Sequence, residues 1–284
     1  MAFTTKIRVA LNKVLSAANL KIDSLTAERR EEARLVDLSK AGLFDRPVYA
    51  LLPGMEAFDA APMAEAYARY GKDMEKLRVR GSNDVAFVLD NPYFASPDAE
   101  ALYLMVRRLA PKRVVEIGCG YSTRITRQAI IDGGLDTRIT AIDPWPRTDI
   151  APYVDSFLQA RVEHLADYTV FEDLEAGDIL FVDSSHEVKL GNDVARIVCD
   201  ILPRLKPGVV LHFHDIFLPY EYVEVYSRAY AGWGEQFILH ALLQGKAADI
   251  LWPGHYLQRA RPELLKTLPF MANGIAQSFW FRLR

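Results

Sequence analysis

The chain has 284 residues, 50% hydrophobic and 25% charged. That suits one large globular domain, or one domain with a cap, and excludes a disordered chain, a collagen-like repeat and a coiled-coil rod. Lys+Arg number 34 and Asp+Glu 37, a net charge of −3, so no nucleic acid is expected as a partner, since such binders usually carry a basic excess. Two cysteines, Cys119 and Cys199, are too few for a disulfide framework or a four-cysteine zinc site, and a reducing, cytoplasmic setting is the default. No apolar run reaches about 18 residues, so no integral membrane span is expected.

Residues 5–22 place Ile7, Leu11, Val14, Leu15 and Ala18 at helical spacing. Lys6, Arg8, Lys13 and Lys21 precede the first acid, Asp23. Targeting peptides and membrane-surface helices share that pattern. The stretch between Lys13 and Lys21 is short for a signal core and no small-residue cleavage site follows, so the expectation is a plain amphipathic helix. Residues 25–40 read as a solvated helix, with Glu28, Arg29, Arg30, Glu31 and Glu32. Pro47, Pro53 and Gly54 interrupt the chain. Further helices are predicted over 62–78 and 99–109, the second stopped by Pro111.

From Arg113 short apolar runs alternate with helical stretches. Strands are predicted at 113–117, 138–142, 160–164, 179–183 and 209–214, with helices near 123–132, 150–159 and 190–204. Strand–helix–strand repetition is the pattern of a parallel sheet covered on both faces. Two last apolar runs lie at 248–252 and 277–283.

The strongest local signal is Val114-Val115-Glu116-Ile117-Gly118-Cys119-Gly120-Tyr121-Ser122-Thr123. An apolar strand ends in a glycine turn, and a helix starts at the N-capping residues Ser122 or Thr123. Gly118 and Gly120 let the backbone turn tightly and approach a ligand. Glu116, a carboxylate inside the strand end, is costly there unless it holds something. Asp143 ends the next strand, well placed to accept hydrogen bonds from two ribose hydroxyls, and Trp145 after Pro144 is positioned either to cover an adenine face or to pack as a core aromatic. A dinucleotide fingerprint requires a third glycine where Thr123 stands. The turn therefore suits a nucleoside without phosphates.

This segment resembles the first motif of class I methyltransferases that use S-adenosylmethionine. Asp143 matches their second-motif acid, Asp178-Ile179-Leu180-Phe181-Val182-Asp183 is similar to their fourth motif, and Leu205-Lys206-Pro207-Gly208-Val209 resembles the approach to their fifth strand. The runs Val-Asp-Ser-Ser-His and His-Phe-His-Asp-Ile-Phe-Leu-Pro-Tyr resemble a bacterial small-molecule branch. The resemblance covers residues 91–284 and implies an α/β, Rossmann-like, seven-stranded, mostly parallel sheet whose last two strands form an antiparallel pair. Residues 1–90 are left as a helical N-terminal extension or cap. It also implies that Glu116 contacts the methionine amino end directly or through water, that Gly118, Gly120, Tyr121, Ser122, Pro144, Trp145 and Asp183 line the cofactor, that Asp143 holds the ribose, and that Asp167 sits near the adenine amine.

Ligands of open α/β sheets bind beyond the carboxyl ends of the strands. The ends of the fourth and fifth strands gather Asp183, Ser184, Ser185, His186, His212, His214 and Asp215, and alternation puts His212 and His214 on one face. Methyl transfer to a hydroxyl needs a base, and histidine suits this near neutral pH. His186 is the first candidate and His214 the second, with Asp215 beside them; His212 alone fits a core histidine better. Catechol-type relatives hold a divalent metal with the acids at Asp183 and Asp215 and an amide next to the second. Here that next residue is Ile216, which cannot ligate, so a metal is not favoured unless His186 or His214 replaces the amide. The run Gly232-Trp233-Gly234-Glu235-Gln236-Phe237 either shapes an acceptor pocket or simply packs.

The leading expectation is methyl transfer from S-adenosylmethionine to a small-molecule or glycan-like acceptor, at oxygen. The alternatives are an aminopropyl-transferring, polyamine synthase-like enzyme and a non-catalytic nucleoside-binding domain. The first ninety residues leave open a cap over the site, a homodimer contact and a membrane contact.

Overall fold

The computed structural model describes residues 2–78, 87, 89, 91–224, 232–245 and 247–284. Residue 90, the expected end of the N-terminal extension, lies outside them. Helices α1 (Ala2–Leu15), α2 (Thr26–Lys40) and α3 (Ala61–Met74) come first. Leu52, Met55, Met63, Ala66, Met74 and Leu77 join the same buried cluster as the sheet residues. α4 (Asp98–Leu109) is buried continuously from Asp98 to Val106 and leads into the first strand.

The strands are β1 (Arg113–Ile117), β2 (Arg138–Ile142), β3 (Ser156–Leu158), β4 (Ile179–Val182), β5 (Val210–Phe213), β6 (Ala248–Pro253) and β7 (Phe279–Leu283). They form one sheet in the order β3-β2-β1-β4-β5-β7-β6. The first five run parallel, and β7 is antiparallel to both β5 and β6. This is the expected Rossmann-like sheet with its antiparallel final pair. β4 is fully buried, as a strand covered on both faces must be. The strand order reverses between β1 and β4, and a crevice opens at their carboxyl ends.

Two expectations fail in one place. The helix near 150–159 is instead a 3-10 turn (Ala151–Tyr153) followed by β3, and residues 162–164, expected in a strand, are a second 3-10 turn. The cause is Asp155. Its carboxylate accepts from the backbone N–H of Ile139 at 2.8 Å and from Arg127 at 2.7 Å, which pins this stretch beside β2. Ser156–Leu158 then pair with Thr140–Ile142, and the third strand comes four residues early.

α5 (Tyr121–Gly133), α6 (Thr169–Glu172) and α7 (Asp193–Arg196) separate the parallel strands. α8 (Glu235–Leu243) and α9 (Gly254–Ala260) precede and follow β6.

Candidate active site

The backbone ladder extends past the strand ends and sets the site. Gly118 N–H donates to Ile142 O, Asp183 N–H to Ile117 O, and His214 N–H to Val182 O, at 2.9–3.0 Å. Four strand ends, those of β2, β1, β4 and β5, are thereby held in register around one cleft of about 750 Å³. Gly118 has φ +81, and a Cβ there would lie 1.7 Å from the carbonyl oxygen of Asp183. Glycine is required because β4 passes so close. Gly120 has extended backbone and open space where a Cβ would go.

Of the residues expected at the cofactor, Gly118, Gly120, Tyr121, Ser122, Asp143, Pro144, Trp145 and Asp183 all line this cleft. Asp143 braces the turn: its carboxylate accepts from the N–H of Cys119 at 2.8 Å and from that of Trp145 at 2.7 Å. Trp145 is 71% exposed, with the Arg161 guanidinium 4.9 Å from its ring centroid, so it is a surface aromatic of the cleft and no core residue. Glu116 lies under the turn and off the cleft wall. Its carboxyl is buried and accepts from Ser122 Oγ at 2.5 Å. Burial pushes it up to about 8, against the opposing pull of the Ser122 and Thr123 hydroxyls. Asp167 is not brought to the cleft. It is exposed and accepts from Thr169 N–H at 3.0 Å, at the start of α6. Glu163 lines the wall instead, four residues earlier, as the displaced third strand requires.

The second half of the cleft is a cluster of acids and imidazoles. His186 Nδ1 lies 3.0 Å from Glu235 Oε2, and its Nε2 lies 3.3 Å from both Asp183 Oδ1 and Asp215 Oδ2. His214 Nδ1 is 3.7 Å from Asp183 and from Asp215, and its Nε2 is 3.5 Å from Asp98. Burial alone would lower both imidazoles. For His186 the carboxylates of Asp183, Glu235 and Asp215 outweigh it and lift the ring to about 10. For His214 those of Asp183, Asp215 and Asp98 do the same. Burial would raise Asp183, but the cationic rings of His214 and His186 hold it well below the usual carboxylate range. His186 and Asp215 adopt left-handed backbone, at φ 59 and 57. Such strain in non-glycine residues collects at functional sites.

His212 is not part of this chemistry. It is fully buried, stacks on Phe181 at 4.1 Å and meets Ser278 Oγ through Nε2 at 3.0 Å. Burial pushes its ring well below the ordinary value. The structure adds Asp98 and Glu235. Asp98 is buried at the start of α4, where its carboxylate accepts from the N–H groups of Gln277 and Ser278. Glu235 starts α8 and is delivered by the backbone, since Gly234 and Glu235 both donate N–H to His186 O. Trp233 packs 4.5 Å from the His186 ring.

The oxygens of Asp183 and Asp215 and a ring nitrogen of His186 lie within 4.8 Å of one another, a donor set that fits a divalent cation. With Nδ1 turned to Glu235, the Nε2 lone pair would face two carboxylates. A proton or a cation must stand there to remove that repulsion.

Residues 115–216 match a family model described as a methyltransferase domain. No curated protein matches the chain. Among solved structures, the chain is similar to a methyltransferase from Podospora anserina bound to S-adenosylhomocysteine, at 15% identity and a TM-score of 0.43, covering 84% of this chain and 100% of that one. An O-methyltransferase of tomaymycin synthesis from Streptomyces achromogenes, in complex with S-adenosylmethionine, shows 16% identity over 87% of this chain and 95% of its own, with a TM-score of 0.36. An O-methyltransferase from Bacillus cereus, in complex with S-adenosylhomocysteine, shows 11% identity over 97% of each chain, with a TM-score of 0.34. The family match runs from within β1 to just past β5, the part of the sheet that builds the cleft.

Proposed function

We propose that the chain transfers a methyl group from S-adenosylmethionine to the oxygen of a small-molecule or glycan-like acceptor. The observation that carries this reading is the junction of two half-sites in one cleft. The glycine turn braced by Asp143 faces one side, and the cluster of Asp183, His186, His214 and Asp215 faces the other. Bound there, S-adenosylmethionine supplies an electrophilic methyl on a sulfonium. Gly120 offers an unobstructed approach, Trp145 an exposed ring for the adenine, and Asp143 lone pairs for the ribose hydroxyls. Glu116, protonated at neutral pH, supports the turn from beneath and makes no direct contact with the cofactor. Glu163 takes the adenine-side role first expected of Asp167.

The acceptor hydroxyl loses its proton to the imidazole–carboxylate cluster, with His186 or His214 as the base. Both rings hold a proton in the unliganded cluster, so each becomes a base only when the charge around it changes. A divalent cation on Asp183, His186 and Asp215 would make that change for His214 alone, with His186 then a ligand and not a base, and it would supply Lewis acidity at the acceptor oxygen. It would also neutralise the two aspartates that keep His214 protonated. His186 then stands in for the amide ligand that Ile216 replaces, with Glu235 orienting its ring as a carboxylate does behind a metal-bound histidine.

Residues 1–90 are proposed as an extension to the domain of 91–284. Its 52–77 segment joins the shared core, and Tyr49 Oη donates to Glu221 at 2.5 Å beside the post-β5 loop. The reading is tested by substituting His186 and His214 with Ala in a turnover assay with S-adenosylmethionine. Turnover should fall while cofactor affinity holds. A chain with no turnover on any hydroxyl acceptor, but with aminopropyl transfer from the decarboxylated cofactor, would be the polyamine-type enzyme. A nucleoside-binding domain would have no turnover to lose.

A further inference from the structure

α1 presents an apolar face that the other described residues leave exposed. Ile7, Leu11 and Val14 recur at helical spacing and are 45%, 45% and 73% exposed. The returning loop uses a different side of the helix. Asn12 exchanges hydrogen bonds with the backbone of Ile22, and Arg8 pairs with Asp23 at 2.8 Å. At 3.6 residues per turn, Arg8 borders one edge of the apolar face, with Asn12 further round on the polar side, while Lys6 and Lys13 border the other edge. Lys6 and Lys13 are exposed and have no ion-pair partner among the described residues. No acid occurs before Asp23, although the whole chain is net acidic at −3.

We propose that this face is a peripheral docking surface for an anionic lipid bilayer, with α1 lying in the headgroup plane. An apolar stripe flanked on both edges by cations is the arrangement such helices use. Charge selects the occupant. Two copies pairing α1 on α1 would bring like-charged edges together with no acid in either helix to neutralise them. An anionic surface instead complements Lys6, Lys13 and Arg8. The net negative charge on the remainder of the chain makes α1 the segment that turns toward the bilayer. The inference is independent of the catalytic reading.

The test is co-sedimentation of the full chain with phosphatidylcholine vesicles, with and without phosphatidylserine. Binding should require phosphatidylserine and weaken as salt is raised. Lys6→Glu with Lys13→Glu should reduce it at least about tenfold, and Leu11→Glu with Val14→Glu should abolish it, with thermal unfolding of the chain unchanged in both variants. Absence of binding to either vesicle, or binding that both variant pairs leave intact, overturns the proposal. So does self-association that Leu11→Glu with Val14→Glu disperses while no vesicle binds, because a second copy is then the occupant.

Discussion

Glu235 Oε2 stands 3.0 Å from Nδ1 of His186, across 49 residues of sequence. Burial raises the Glu235 carboxyl above its usual range, opposed by the imidazole it faces. The pair fixes which nitrogen of His186 looks into the cleft. Glu235→Gln keeps an acceptor for the ring N–H but removes the charge. The His186 ring should then titrate lower than about 10, and turnover or cation affinity should fall roughly 10–100-fold. An NMR titration of the ring signals checks the first effect. An unmoved titration would show that Asp183 and Asp215 alone set the ring.

Stability should fall as pH rises through neutrality. Glu116 goes from an ordinary 4.5 to about 8 and His186 from 6.5 to about 10 in the folded chain. Both bind their proton more tightly folded than unfolded. Their contribution is complete below the unfolded values and is lost as pH climbs through the folded ones. Glu116→Gln still accepts from Ser122 Oγ and has no proton to lose. Its unfolding temperature should therefore decline less than that of the parent between about pH 4.5 and 8. Parallel curves for parent and variant would contradict the buried, protonated carboxyl.

The two glycines of the turn should behave differently. Gly118→Ala forces a Cβ to within 1.7 Å of Asp183 O at φ +81. That should cost about 3 kcal/mol or more, from overpacking and backbone strain together. Gly120→Ala meets nothing within 4 Å, so stability should change by less than about 1 kcal/mol. Its cost should show in ligand affinity, because the added methyl enters the cleft. Chemical denaturation alongside calorimetric titration of S-adenosylhomocysteine separates the two.

If a divalent cation occupies Asp183, His186 and Asp215, it must displace the proton on His186. Affinity for Mg²⁺ or Mn²⁺ should then rise with pH, with proton release on binding. Asp215→Asn should remove it. Activity insensitive to chelation, together with no cation-dependent rise in unfolding temperature, would leave the proton as the occupant of that position.

Much of the cofactor side is written locally. Val114–Thr123 carries a strand, its turn and a helix start within ten residues, and Asp143 follows directly on β2. The cluster was half legible, because Asp183, His186, His214 and Asp215 sit at two strand ends that the repeating pattern makes neighbours. Asp98 was not. It meets Ser278 across 180 residues, and no local spacing reports such a contact. β3 escapes the apolar pattern because a three-residue edge strand is held by Asp155 and its pairing to β2 more than by its own side chains, and Asp167, placed by counting from a later strand, falls outside the cleft.

The most direct test of the central claim is calorimetric or thermal-shift titration with S-adenosylmethionine, S-adenosylhomocysteine and NAD in separate series. At about 100 times the dissociation constant a bound ligand adds about 2.7 kcal/mol. A dose-dependent rise with the two sulfur nucleosides, none with NAD, and loss of that rise in Gly120→Ala is the predicted result. No response to the sulfur nucleosides at millimolar concentration, or a response to NAD alone, would contradict it.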